Sequence, residues 1–185
     1  MKLLTHEEYL RLGESDEYYR GRWKYFKEVI EVIKKIEPSN VLELGPYRAP
    51  FVSGSDIMDC DNHLKGIKYP QDAGIVPWPI QDKQYDLFIA LQVWEHLDGR
   101  QKQAFREVMR ISKYAILSFP YKWTKSKYKN HNKINNAIIK DWTLGVKPIK
   151  KISVPFQKVG KLKKILNRIF NTHPFGRMIY VFKFK

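Results

Sequence analysis

A chain of 185 residues, 43% apolar and 14% aromatic, carries the material for one hydrophobic core and is expected to form a single domain over residues 1–185. No apolar run approaches the ~18–20 residues of a membrane span, and the single cysteine, Cys60, excludes an internal disulfide framework and a cysteine-rich zinc site. The net charge of +15 is lopsided: residues 1–120 hold 17 Lys/Arg against 18 Asp/Glu, whereas residues 121–185 hold 17 Lys/Arg against the lone acid Asp141.

Residues 5–36 read as helical. Thr5 supplies a capping hydroxyl, with Glu7 and Glu8 in the first turn. Gly13 and Gly21 are expected to break the early part. From Trp23 onward, Phe26, Val29, Ile30 and Ile33 recur at helical spacing, and Pro38 ends the run. Val41-Leu42-Glu43-Leu44-Gly45 then has the look of a short buried parallel strand. Residues 55–59 form a second strand that ends in acid, and 62–83 is a loop-rich stretch with Pro70, Gly74, Pro77 and Pro79. Residues 85–91 are the clearest strand. Residues 99–112 are helical, 114–119 form a fourth strand, 133–142 a short helix, 148–156 an extended segment and 178–184 a last strand. Between those last two, Val159, Leu162, Ile165, Leu166, Ile169 and Phe170 alternate with lysines, a basic amphipathic helix over 158–170.

Strands alternating with helices predict an α/β fold: a doubly wound, mostly parallel, Rossmann-like sheet in a three-layer α/β/α arrangement. Ligands of such sheets bind beyond the carboxyl ends of the strands, near the switch in strand order. Glu43, Asp59 and Gln92 all fall at or just past such ends.

Over residues 41–120 the ordered set of motifs resembles the class I S-adenosylmethionine-dependent methyltransferases, in particular the small type-11-like branch that modifies metabolites and sugars. Val41-Leu42-Glu43-Leu44-Gly45 is similar to their first motif, Asp72-Ala73 with Val76-Pro77-Trp78-Pro79 to a middle motif, and Gln92-Val93-Trp94-Glu95-His96-Leu97 to the segment after the fourth strand of that family. The resemblance implies a methyltransferase fold, S-adenosylmethionine as cofactor and S-adenosylhomocysteine as product. It places Glu43, Gly45 and Pro46 near the amino-acid end of the cofactor, Asp59 on the ribose hydroxyls, Asp72 and Ala73 at the adenine, and Gln92 in the same pocket. It also implies a helical lid over residues 1–38 with Tyr18, Tyr19 and Arg22 facing the site and a cofactor-binding core over 39–120; the charge distribution marks 121–185 as a basic part. The alternative for Tyr18 and Tyr19 is that they pack on the core. Trp23 belongs to the buried stripe.

One departure is plain. Gly45 is followed by Pro46-Tyr47-Arg48-Ala49-Pro50 without the further glycines of the family, and only 15 residues separate Glu43 from Asp59. An irregular loop is expected where the family has its first crossover helix.

Methyl transfer needs an aligned acceptor and sometimes a base. His131 and His96 are the catalytic candidates, against the plainer readings of a loop histidine and of one that fixes a turn. Cys60, flanked by Asp59 and Asp61, reads as structural. No metal is expected, because His6, His63, His96, His131 and His173 lack ligand spacing along the chain. The expected acceptor is a small molecule or saccharide. Residues 121–185 raise two alternatives, an RNA substrate held through phosphate contacts and an anionic membrane surface, and the missing glycines raise a third, a non-catalytic cofactor-binding module. The acidic N-terminus argues against a secretory signal, so a cytoplasmic location is expected, peripheral at the membrane under the second alternative.

Overall fold

The structure, a computed structural model, describes residues 2–15, 19, 21–61, 64–123, 131, 133–156 and 176–185. Helix α1 (His6–Ser15) opens on a capping box: the Thr5 hydroxyl accepts from the Glu8 amide at 3.2 Å and the Glu8 carboxylate accepts from the Thr5 amide at 2.9 Å. It runs through Gly13, so that glycine is not the break. The helix ends at Ser15, and Gly21, at φ +70°, stands two residues before α2. Helix α2 (Trp23–Ile36) buries Tyr25, Phe26, Val29, Ile30, Val32 and Ile33, and stops at Glu37, where φ turns to +50° ahead of Pro38.

Six strands follow in one sheet: β1 (Val41–Leu44), β2 (Asp56–Met58), β3 (Tyr85–Leu91), β4 (Ser112–Tyr121), β5 (Lys150–Pro155) and β6 (Gly176–Lys183), ordered β2-β1-β3-β4-β6-β5. The first four run parallel. β6 is antiparallel to β4 and to β5. Helix α3 (Gln101–Ile111) leads into β4, and α4 (Asn136–Trp142) follows it, its amides at Ala137 and Ile138 capped by the Asn135 side chain. Each element among the described residues falls where the sequence pattern puts it, with ends shifted by at most three residues. No helix joins β1 to β2, as the two prolines require. The amphipathic segment 158–170 lies outside the described residues.

Alternation along the strands sorts side chains onto two faces. Val41, Leu87, Ile89, Ile116, Ile179 and Val181 meet α2 on one. Leu42, Leu44, Phe88, Ala90, Leu117 and Phe182 meet α3, Trp78 and Trp94 on the other. The sheet is the middle layer of three, a mostly parallel α/β fold as expected. Its strand order reverses between β1 and β3, which puts the switch point beyond Leu44 and Leu91.

Phe105 of α3 is fully buried and packs its ring against Trp94 and Phe182 at centroid distances of 6.4 and 5.3 Å. Phe105→Ala is expected to cost about 3–5 kcal/mol in urea-induced unfolding, the range for an aromatic ring removed from a core that cannot collapse. A loss below about 1 kcal/mol would mean that the α3 layer is loosely held.

Candidate functional site

Two strand ends meet at the switch point, and both turn through positive φ. Gly45 sits at +59° and donates its amide to the Met58 carbonyl at 3.0 Å; a Cβ there would stand 3.0 Å from the Val93 side chain. Gln92 sits at +60° and donates its amide to the Ser118 hydroxyl at 3.1 Å and its carbonyl at 3.2 Å. Glycine keeps the floor of the crevice open where a side chain would meet Val93.

Glu43 does not point its charge into that crevice. One carboxylate oxygen accepts the Phe51 amide at 2.8 Å. The other accepts the Val52 amide at 2.8 Å and the Ser55 hydroxyl at 2.9 Å. The side chain anchors the loop after Gly45, and burial pushes its pKa up to about 7 against the pull of those three donors. A cavity of about 20 Å³ remains between Gly45, Pro46, Tyr19 and Phe51, room for about one water.

Asp59 follows β2, is 8% exposed and accepts the Asp61 amide at 3.0 Å. Asp72 accepts from Arg100 at 2.7 Å and caps the Gly74 amide at 2.7 Å, while the Ala73 carbonyl accepts the Trp78 indole N–H at 3.1 Å. Cys60 lies beside Asp59, Asp61 and Asp72; burial first, then those acids, push its thiol pKa up, as expected of an inert cysteine.

Tyr19 is buried between α2 and the loop. Its ring stacks on Tyr47 at 6.2 Å and its hydroxyl accepts the Arg48 amide at 3.2 Å. Arg22 precedes α2, and its amide donates to the Tyr9 hydroxyl at 2.8 Å. Tyr18 lies outside the described residues.

A second group gathers beyond β3 and β4. The 3₁₀ turn Trp94–His96 carries Glu95 and His96, and the loop after β4 brings His131 to them: the two imidazole Nε2 atoms are 3.1 Å apart. The scatter of histidines along the chain therefore hides a spatial pair. Glu95 is wholly buried, and burial pushes its pKa up to about 8, with the charge of Arg177 pulling the other way. Burial, His96 and Arg22, in that order, push His131 down to about 4, and burial lowers His96, so both rings are neutral at physiological pH. Arg177, paired in register with Pro120, lays its guanidinium over the rings of Phe156, Tyr25 and Trp123 at 4.7, 5.3 and 5.8 Å. Tyr25 in turn hydrogen-bonds the Ser118 hydroxyl beneath Gln92. Glu95 and Arg177 are the members of this group that the sequence does not single out. One signal was available for Arg177, a charge inside an otherwise apolar strand.

Comparison with solved structures places this architecture. A SAM-dependent methyltransferase of Thermotoga maritima, described as a possible histamine N-methyltransferase, aligns over 97% of this chain and 99% of its own with a TM-score of 0.65 at 14% identity. A S-adenosylmethionine-dependent methyltransferase of Clostridium acetobutylicum aligns over 96% of both chains with a TM-score of 0.60 at 12% identity. The methyltransferase domain of bacterial CtHen1-C aligns over 86% of this chain and 96% of its own, TM-score 0.58 and 16% identity. No protein-family model and no curated protein matches the sequence. The fold is that of the class I methyltransferases.

The buried Glu43 carboxyl yields a prediction on stability. Its pKa is about 7 in the folded chain and 4.5 when unfolded, so between those values the unfolded chain gives up a proton that the folded chain keeps. Stability then falls as pH rises through this window and levels off above it, by about 3 kcal/mol in all for a group so fully buried. Glu43→Gln has no such proton. Its urea unfolding free energy relative to the native sequence should improve by about that amount between pH 5 and pH 8. A difference that stays constant would mean that the three donors hold Glu43 ionised throughout.

Proposed function

We propose that the chain is a methyltransferase that takes its methyl group from S-adenosylmethionine and delivers it to oxygen or nitrogen of a small-molecule or saccharide acceptor. The observation that carries this reading is the switch-point crevice, with Gly45 open at its floor and the carboxylate of Asp59 just past the neighbouring strand, in the fold of the class I methyltransferases. The donor set fits the cofactor. Asp59 has the two acceptor oxygens that a ribose diol requires, Gly45 leaves the backbone approachable, and Asp72 with Ala73 borders the same acidic corner by Cys60. When bound, the cofactor supplies a methyl on a strong leaving group.

In this reading Glu43 and Pro46 act at one remove, Glu43 by holding the loop whose first residues line the amino-acid end. Gln92 presents its backbone beside Gly45. Tyr19 and Arg22 cover the crevice, since α2 itself is committed to the core. Arg177, Trp123 and Phe156 form a cation-bearing aromatic surface beside His96 and His131, suited to a planar or sugar acceptor. The RNA reading rests on a different feature, the surplus of lysines after residue 120 and the exposed Lys150 and Lys151 of β5. Binding to bulk RNA that falls steeply with added salt would favour it over the small-acceptor reading.

Isothermal titration with S-adenosylmethionine and S-adenosylhomocysteine tests the assignment. Micromolar binding of both is expected, with Asp59→Ala weakening each by tenfold or more and leaving thermal unfolding unchanged. Unaltered affinity in a folded Asp59→Ala chain would move the ribose site elsewhere.

A further inference from the structure

Glu95, His96 and His131 offer one ligand atom each, all within 4.8 Å of one another. Glu95 is the unusual member. Its side chain is 0% exposed, and neither carboxylate oxygen accepts a hydrogen bond from another of the described residues. Buried carboxylates are paired, hydrogen-bonded or bound to metal. Arg177 acts on this one only through its field, because its guanidinium lies against aromatic rings. The nearest cationic-capable atom is His131 Nε2 at 3.9 Å, beyond hydrogen-bond reach.

The histidine pair points the same way. With metal–nitrogen bonds of about 2.1 Å, two ligand nitrogens on one ion stand about 3.0 Å apart in an octahedral site and about 3.4 Å apart in a tetrahedral one. The observed Nε2–Nε2 separation is 3.1 Å. An ion bound to all three would need the Glu95 oxygen to close by about 1 Å from its present 3.9 Å to His131, and the whole set, now within 4.8 Å, to contract to the scale of about 3.0–3.4 Å of a metal site. Glu95 and His96 are consecutive on the turn after β3, and His131 stands on the loop after β4, so one ion would clamp two loops at the carboxyl edge of the sheet.

We propose that Glu95, His96 and His131 bind a divalent transition-metal ion, of the manganese, cobalt or zinc class, through two imidazoles and one carboxylate. Three protein ligands leave coordination positions open. Resting on the methyltransferase reading, the ligand that completes the shell is a hydroxyl oxygen of the acceptor, held beside the switch point. The two histidines are then ligands, and neither is the proton acceptor.

Cobalt(II) titration of the purified chain, freed of metal with chelator, is the test. Saturable binding at one equivalent with visible d–d absorption is expected, and His131→Ala should weaken it tenfold or more while leaving the circular dichroism spectrum unchanged. Glu95→Gln should weaken it similarly and provides a second variant of near-equal volume. No d–d bands in the native chain, or equal affinity in folded His131→Ala, overturns the site. Titration with S-adenosylmethionine on the same preparations separates the two ideas: cobalt binding without cofactor binding upholds the metal site and removes the methyltransferase reading, and the reverse result keeps the cofactor and removes the metal.

Discussion

The buried carboxylate of Glu43 is what lets β1 and β2 be neighbours without a helix between them. Parallel strands need a crossover, and a helical crossover satisfies its own backbone. Here the connection is a loop of irregular backbone, and its amides must find partners elsewhere. Phe51 and Val52 donate to Glu43, Gly45 to Met58 and Arg48 to the Tyr19 hydroxyl, while the Phe51 carbonyl accepts from Leu4 and the Ser53 amide donates to Lys2. The loop is satisfied from the sheet, from the aromatic cluster before α2 and from the N-terminal segment together. The anchor stays serviceable because a carboxylate accepting three hydrogen bonds is far better off than a bare one.

What the sequence made legible follows from where the information is local. The buried run 85–91, the apolar stripe of α2 and the glycine after β1 are each written within a few residues, and each formed where its pattern indicated. The absent crossover helix was legible too, because Pro46 and Pro50 exclude it. Gly13 was misread because a glycine inside a helix costs only about 1 kcal/mol, which the rest of α1 offsets. The role of Glu43 was readable only in part. Its position marks the crevice, but which way a carboxylate at a strand end turns depends on donors some eight to twelve residues later. The His96–His131 pair was not readable at all, since 35 residues and a whole strand separate its members. Histidine spacing along a chain speaks only for ligands on one element.

The two sheet edges are handled differently. β2 is a three-residue strand, too short to template another chain. β5 is longer, and it opens on the exposed Lys150 and Lys151, with the Lys151 ammonium over the Tyr180 ring. Charge on an exposed edge discourages edge-to-edge pairing, so part of the lysine surplus after residue 120 has a use that needs no polyanionic partner.

Arg177 and Glu95 are two buried ionisable groups near the ends of β4 and β3 that form no ion pair with each other. A direct bidentate pair with Glu95 would satisfy both groups and leave Glu95 nothing to offer. Tyr25, Trp123 and Phe156 instead hold the guanidinium by its faces, which desolvates it. Lysine cannot take this place, since an ammonium lacks the plane that the three rings clasp. The arrangement keeps a positive field over the end of β4, where burial raises the pKa of the Glu95 carboxyl to about 8 and lowers that of the His131 imidazole to about 4. Oxygen and nitrogen lone pairs then converge on a point that a cation can occupy. Structural burial alone would have favoured an apolar residue at position 95, where Trp94 and Leu97 are already buried on either side.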